Sequence, residues 1–508
     1  MQLSELLAVP GLAGCATRPI PQLSVDRVCD DSRRVSSGCL FVAVEGAVSD
    51  GHDYLQSAYR LGCRAFVVEK RQDELPEDAF VFLAEDSRKA LALLSARILG
   101  DPGKKLTLIG ITGTKGKTTT ALMLRGILCR AGIAAGYIGS NGVRYADVSL
   151  PDTKNTTPGS AELNGYLAAM VDAGITHVVL EVSSQALYMR RVYGLTFSVV
   201  IFTNLGVDHI GGAEHPTFEH YKASKRSLFF DYGAQTMVVN IDDPNSADMT
   251  PPGIRILTVS EQRDADYSAS GIRFLRRGGL LGVAADCSVH GVQHELELVL
   301  PGKFNIINAL CAAAAAEALG VESEVSFSVL RETLVEGRFE CVPVVSDRFF
   351  VIDFAHNGMA LRSVLEALRQ YKPKRLVCVF GSVGGRTRGR RKQLGDVAAQ
   401  LCDEVILTAD DPDYEPVSDI CADILPSFDG SLCRVRVIED REEAIRTALA
   451  ESLPGDIVLF AGKGHESFQL VRGVRQYFSE RELIRKYRSL IPSVGSDTPF
   501  SCFDGTIR

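Results

Sequence analysis

Gly110-Ile111-Thr112-Gly113-Thr114-Lys115-Gly116-Lys117-Thr118-Thr119 is the stretch on which the reading of this chain turns. It follows an apolar run, Leu106 to Ile111, that reads as a buried strand, and it precedes a helical stretch. Glycines in such a turn let backbone N–H groups approach phosphate oxygens, and the helix N-terminus adds positive potential. Gly113, Thr114, Lys115, Gly116, Lys117, Thr118 and Thr119 therefore read as a nucleotide phosphate loop. Lys117 would meet the β- and γ-phosphates, and the Thr118 hydroxyl would reach Mg²⁺. The spacing departs from GxxxxGK[ST], because Ile111 stands where the first glycine is usual. The competing explanation is a glycine-rich turn with a chance Lys-Thr pair.

Outward from the loop, buried-type strands recur at Val178–Val182, Val199–Thr203 and Met237–Ile241, with helical segments between them. This predicts an α/β unit with a mainly parallel sheet. From Gly337-Arg338 onward, Phe349–Phe354, Leu376–Phe380, Val405–Thr408 and Ile457–Phe460 again alternate with helices and predict a second, doubly wound sheet. Before the loop, the runs Cys39–Val44 and Ala65–Val68 flank a helical stretch, Tyr54 to Leu61, and Asp101-Pro102-Gly103 reads as a hinge. The expectation is three domains, residues 1–103, 104–337 and 338–508: a small mixed α/β domain, a central phosphate-loop sheet and a Rossmann-like doubly wound sheet.

The 508 residues are 46% hydrophobic and 23% charged, enough apolar material for several cores. A net charge of −8 argues against a nucleic-acid polymer as partner and leaves room for phosphorylated small molecules in local basic pockets. The 13 cysteines are an odd number without CxxC spacing, which fits reduced thiols in the cytoplasm. Leu12-Ala13-Gly14-Cys15 resembles a lipoprotein cleavage box. No Lys or Arg precedes it, however, and Glu5 interrupts the apolar run. Ala312–Ala316 reads as part of an amphipathic helix too short to span a bilayer, so no membrane association is expected.

Glu181, at the C-terminal end of a strand near the loop, stands where a Mg²⁺ ligand is needed. Thr203-Asn204-Leu205, then Asp208-His209, end the next strand, and Lys225 lies on the helix beyond. Singly, a histidine is more often structural and a lysine more often solvated.

Together the motifs resemble the Mur ligase and folylpolyglutamate synthase superfamily. Gly113 to Thr119 is similar to its GTNGKTT loop, with Lys115 for Asn. Glu181-Val182-Ser183-Ser184 is similar to EVSSH, Thr203 to His209 to TNLxxDH, and Tyr221 to Lys225 to YxxxK. The resemblance implies an ATP-dependent amide ligase. Lys117, Glu181, His209 and Lys225 would be catalytic. Thr118 and Glu181 would hold one Mg²⁺, and Glu181, His209 and a CO₂-derived carbamate on Lys225 would hold a second. It further implies Asn305, Arg338 and Asp353 around the nucleotide. Asn305 also reads as a helix N-cap.

Asp31-Ser32-Arg33, Leu40 to Ala43 and Asp50-Gly51-His52 resemble the first-domain DSR, LFVA and DGH segments of the MurE type within this family. That type adds the third amino acid to UDP-MurNAc-L-Ala-D-Glu in peptidoglycan biosynthesis. The resemblance implies Ser32 in a uridine-diphosphate site. It places Asn155, Thr156, Thr157, Ser183 and Arg191 against the muramoyl peptide. Gln185 and Met189 depart from the usual His and Gln.

Gly462-Lys463-Gly464-His465-Glu466 matches the family's GKGHE loop, and Arg386 aligns with the arginine that grips the acceptor's α-carboxylate. The remaining basic residues of Arg386 to Arg391 also read as a solvated face. Asp410-Asp411-Pro412-Asp413 stands where enzymes adding meso-diaminopimelate show DNPR, whose arginine pairs the distal carboxylate. Asp413 in its place predicts L-lysine or L-ornithine as acceptor. The competing explanation is a plain turn, with selectivity set elsewhere. The substrates expected are thus ATP, the UDP-muropeptide and an amino acid, handled by a monomer. The rival functions are the same reaction with meso-diaminopimelate, a folylpolyglutamate synthase-like ligase, and a non-catalytic phosphate-loop protein.

Overall fold

The computed structural model describes residues 1–13, 22–46, 49–70, 75–150, 153, 155–207, 210–211, 214–385 and 388–492. The chain forms two compact units, one of residues 1–265 with 311–325, the other of 266–310 with 326–508. The boundary at Ala265 falls within the expected 104–337 segment.

The first unit holds two sheets. In the smaller, the strands Arg27–Cys29, Cys39–Val42, Ala65–Val68 and Phe80–Ala84 run parallel, and Leu12–Ala13 pairs antiparallel at the edge. Cys39–Val42 and Ala65–Val68 are buried throughout, which explains why they read as unbroken apolar runs. Asp86 caps the helix Ser87–Ile98 by accepting from the Lys89 N–H.

The larger sheet is centred on Thr107–Thr112. His177–Glu181 pairs parallel on one side and Val199–Phe202 on the other. The register sets Glu181 opposite Ile111 and Phe202 opposite Thr112, so three strands end at one level. The loop 113–116 leaves the sheet there, between diverging neighbours, where open α/β sheets bind ligands. Thr236–Asn240 and Arg255–Ser260 extend the sheet in parallel on one side, and Ala135–Gly139 does so on the other.

In the second unit the strands Tyr267–Arg277, Leu280–Val289 and Val292–Leu298 form an antiparallel meander that the strand-and-helix reading missed. Its signals are turn residues: Gly278 and Gly279 both sit at positive φ, 56° and 74°, between the first two strands. The run Ala312–Ala316 is buried on every side, so its helix, Phe304–Ala318, is not amphipathic there. Among the described residues no helix is long and apolar enough to cross a membrane.

The six-stranded sheet of this unit orders its strands Glu340–Cys341, Phe349–Asp353, Ile457–Ala461, Leu376–Phe380, Glu404–Leu407 and Arg434–Val437. All but the first pair in parallel. The last, Arg-Val-Arg-Val, escaped the sequence reading because an edge strand keeps charges on its open side. The eleven described cysteines are free thiols.

Candidate active site

The phosphate loop is held open by the strand end beside it. Asn204 accepts from the Thr114 N–H through its carbonyl and from the Lys115 N–H through its side chain, both at 2.9 Å. Thr203 Oγ1 and Asn204 Nδ2 both donate to the Lys115 carbonyl, at 2.7 and 3.0 Å. Gly113 must be glycine: a Cβ there would stand 2.0 Å from Thr203 Oγ1. Gly116, at φ 86°, turns the chain into the helix Lys117–Arg130. Lys117 folds back, and its Nζ donates to the carbonyls of Gly113 and Thr114 at 2.9 and 3.2 Å.

Thr118 Oγ1 donates to Glu181 Oε2 at 3.0 Å, which joins the first turn of the loop's helix to the end of the adjacent strand. Glu181 is fully buried, and its other oxygen accepts from Tyr137 Oη at 2.5 Å and from the Ser140 N–H at 3.1 Å. Two hard oxygen donors, one on the helix's first turn and one at the end of the neighbouring strand, suit Mg²⁺.

Lys225, on the helix Phe218–Asp231, is 2% exposed, and its Nζ donates to the Gly113 carbonyl at 2.9 Å. The same Nζ lies 4.6 Å from the centre of the Tyr221 ring. His209 lies outside the described residues. Among those described, no group of three or more His, Cys, Asp or Glu side chains converges on one point.

A cavity of about 560 Å³ opens in the same unit, with Ser32, Asn155 and Arg191 in its wall. Thr157 ties that wall to the Glu181 strand. Its Oγ1 donates to the Glu181 carbonyl at 2.8 Å and accepts from the Ser183 N–H at 3.0 Å. Its own carbonyl accepts from Arg191 Nη1 at 3.0 Å. Thr156 Oγ1 lies 2.9 Å from Ser140 Oγ. Ser183 caps the helix Ser184–Tyr188 through the Ala186 N–H. Burial pushes the Arg191 guanidinium below its ordinary value, an environment that favours an anionic ligand. Asp30, in the same wall, is pushed up by burial, whereas Arg33 holds Asp31 down to about 2. Sequence reasoning missed Arg88, which also lines the cavity and donates to the Glu45 carbonyl at 2.6 Å.

In the second unit Asp353 accepts from the N–H groups of Phe339 and Ala355, at 2.9 and 2.8 Å, and so braces the turn that carries Arg338. The Arg338 guanidinium lies 4.7 Å from the Phe354 ring centre. Asn305 does not cap its helix. It sits within Phe304–Ala318, donating to the Pro301 carbonyl at 2.7 Å and accepting from Asn308 Nδ2 at 2.9 Å.

Around the GKGHE loop, Lys463 is fully buried among acids: Asp411 Oδ1 at 2.7 Å, Glu466 Oε2 at 2.8 Å and Asp410 Oδ1 at 3.8 Å. Burial raises Glu466 to about 6 against the pull of Lys463. Gly462, at φ 112°, lets the loop pass Asp410, whose Oδ2 a Cβ would meet at 2.7 Å. Asp413 is itself at positive φ, 52°, and its Oδ1 accepts from the Gly473 N–H at 2.7 Å. Its carboxylate thus anchors the hairpin Phe468–Val471/Val474–Tyr477. Arg386 lies outside the described residues. Arg391, for which a solvated face is the alternative reading, is buried between Glu415 and Asp423 at 2.6 and 2.8 Å. A helix face could not distinguish it from Arg388, which stays exposed.

Three family models match the chain: the Mur ligase family catalytic domain over 25–98, the Mur ligase middle domain over 111–316, and the Mur ligase glutamate ligase domain over 337–464. The UDP-N-acetylmuramoyl-L-alanyl-D-glutamate–2,6-diaminopimelate ligase of Chlorobaculum tepidum is 37% identical over 501 residues, covering 95% of this chain and 96% of that one. The enzyme of the same name from Caldanaerobacter subterraneus subsp. tengcongensis is 36% identical over 467 residues, covering 92% and 95%. A solved structure of a ligase so named superposes with a TM-score of 0.68 at 27% identity, over 96% of this chain and 99% of that one. MurF ligase from Thermotoga maritima, in complex with ADP, shares the fold at a TM-score of 0.57 and 21% identity, over 92% and 98%.

Proposed function

The chain belongs to the Mur ligase family of ATP-dependent amide-forming ligases in peptidoglycan synthesis, and from that premise we propose that it is of the MurE type, joining an amino acid to UDP-N-acetylmuramoyl-L-alanyl-D-glutamate. The observation that carries this reading is the Thr118–Glu181 hydrogen bond at the mouth of the phosphate loop, with Lys225 Nζ on the loop's Gly113 carbonyl. A phosphate loop alone serves any nucleotide binder. A buried carboxylate and a buried lysine converging on it serve group transfer.

A carboxylate is a poor electrophile, so its oxygen first attacks the γ-phosphorus of ATP, and ADP leaves. The incoming amine then adds to the acyl phosphate carbonyl, and the tetrahedral adduct expels phosphate. Lys117 and the loop N–H groups hold the triphosphate and neutralise charge as it develops. Thr118 and Glu181 fit one Mg²⁺, which neutralises triphosphate charge when bound. His209 and a carbamate on Lys225 are assigned to a second. Asn305, Arg338 and Asp353 are assigned to the nucleotide.

Ser32, Asn155 and Arg191 of the cavity wall, together with Thr156, Thr157 and Ser183, are assigned to the UDP-muropeptide, and the half-buried Arg191 guanidinium supports an anionic ligand there. Arg386, Asp411, Gly462 and Glu466 are assigned to the acceptor. The names of the relatives favour 2,6-diaminopimelate over the lysine or ornithine expected from Asp413. Asp413's bond to the Gly473 N–H supports the same choice, since a carboxylate engaged by a hairpin is less available to a ligand. The second reading, a basic acceptor without a distal carboxylate, rests on Asp413 standing in place of arginine. The division at 103 and 337, a monomeric state and a cytoplasmic setting belong to this proposal.

The test is phosphate release with ATP and UDP-MurNAc-L-Ala-D-Glu, measured against diaminopimelate, lysine and ornithine. Release that depends on both the muropeptide and an amino acid is expected. ATP turnover indifferent to both would sink the ligase reading.

A further inference from the structure

Asp413 leaves the acceptor site without the arginine that a distal carboxylate would pair with, yet the relatives are named for diaminopimelate. A cation does stand beside this site, on the hairpin rather than on the loop. Phe468 opens the hairpin two residues after Glu466. The Lys463 Nζ lies 5.0 Å from its ring centre, and the Arg475 guanidinium lies over the same ring at 4.1 Å. Phe468 is thus a platform shared by the buried lysine of the GKGHE loop and an arginine on the facing strand.

The platform is fixed in place by two of the three acids of the 410–413 turn, Asp411 and Asp413. Asp411 Oδ1, besides taking the Lys463 proton donor, accepts from the Leu470 N–H at 2.9 Å. Leu470 is the register partner of Arg475. The Asp413 N–H donates to the Leu470 carbonyl at 3.0 Å, the Arg472 N–H donates to the Asp413 carbonyl at 2.9 Å, and the Gly473 N–H donates to Asp413 Oδ1. An arginine at position 413 could not accept from Gly473. The turn has therefore exchanged a cation for an anchor, and the anchor presents a hairpin that carries its own cation.

We infer that Arg475 is the residue that selects an acceptor with a distal carboxylate, taking the part that an arginine at position 413 would otherwise take. The inference rests on the ligase reading and deepens it. Glu466 and the acids around Lys463 attract the ammonium of the acceptor's far end. Arg475, held over Phe468, pairs the carboxylate beside it. Lysine and ornithine have that ammonium and lack the carboxylate, so Arg475 separates the two acceptor classes.

The experiment compares kcat/KM for diaminopimelate and for lysine in the whole protein and in its Arg475→Gln, Arg475→Ala and Arg475→Lys variants. The diaminopimelate-to-lysine ratio should fall about tenfold or more in the first two, the scale of one lost charged hydrogen bond, and recover in part in the third. The loss should sit in KM for diaminopimelate, with KM for the UDP-muropeptide as the internal control for folding. A wild-type protein that uses diaminopimelate with a ratio indifferent to Arg475 overturns the inference and leaves the ligase reading intact. A wild-type protein that accepts only lysine or ornithine overturns it too. Failure to ligate any amino acid overturns the ligase reading itself.

Discussion

The Thr118 hydroxyl donates to Glu181 Oε2 across 3.0 Å, so the helix that follows the phosphate loop and the strand beside it meet in one hydrogen bond. Residues 63 positions apart in the chain thereby form one oxygen cluster. Thr118→Ser keeps the oxygen and should retain most activity. Thr118→Ala and Glu181→Gln should each lower kcat/KM by on the order of 10²-fold, with a raised Mg²⁺ requirement in the alanine variant. Phosphate release across a Mg²⁺ titration reads both. An alanine variant with wild-type magnesium dependence would remove Thr118 from the metal site.

Lys117 folds onto its own loop, with Nζ on two carbonyls. Lys117→Met keeps the stem and removes the charge. Turnover should fall on the order of 10³-fold, because the lysine's positive charge opposite the anionic transferring phosphoryl group is lost. Thermal unfolding should move little. A large fall in Tm would make Lys117 a structural residue first.

Arg191 is half-buried in the cavity wall, where among the described residues its guanidinium donates to the Thr157 carbonyl and keeps further donors for a ligand. Arg191→Lys cannot form the same fork. Its KM for the UDP-muropeptide should rise about tenfold or more while KM for ATP holds. Equal changes in both constants would place Arg191 outside the muropeptide site.

Asp413→Asn keeps an oxygen for the Gly473 N–H and removes the charge. If Asp413 is an anchor, acceptor choice stays as in the wild type, and Asp413→Ala loses about 1 kcal/mol of stability. If its charge selects the acceptor, Asp413→Asn shifts preference toward diaminopimelate. The ratio of turnover on lysine and diaminopimelate decides between them.

Burial raises the Glu466 carboxyl to about 6, with Lys463 pulling the other way. A folded value above the unfolded one means that this group favours the fold most at low pH. That contribution is lost as pH rises through about 6. Binding runs the opposite way, since an ammonium needs the ionised form. KM for the acceptor should climb as pH falls below about 6, and Glu466→Gln should flatten that limb. The check is KM for the acceptor between pH 5 and 8, flagged by about one log unit per unit of pH; an unaltered limb in the variant would assign it elsewhere.

Much of this was legible in the chain itself. Buried parallel strands announce themselves as apolar runs, so Thr107–Thr112, His177–Glu181 and Val199–Phe202 were found within a residue or two. The meander from Tyr267 to Leu298 was not, because Tyr267–Arg277 and Val292–Leu298 are half exposed and dilute the apolar signal. The alternative reading of Asn305 as a cap fails because sequence alone does not show which backbone group its amide meets.

Local chemistry in the sequence determined the phosphate loop, its strand and helix, and the residue types around them, since glycine, lysine and threonine at that spacing act through their own backbone geometry. Tertiary structure alone decided which groups meet: Thr118 with Glu181, Lys225 with the Gly113 carbonyl, Asp413 with Gly473 and Arg475 with Phe468. The physical reason is reach. A side chain's role is set by partners within a few ångströms, and strand register and hairpin closure bring those partners from 60 to 112 residues away in three of these four pairs.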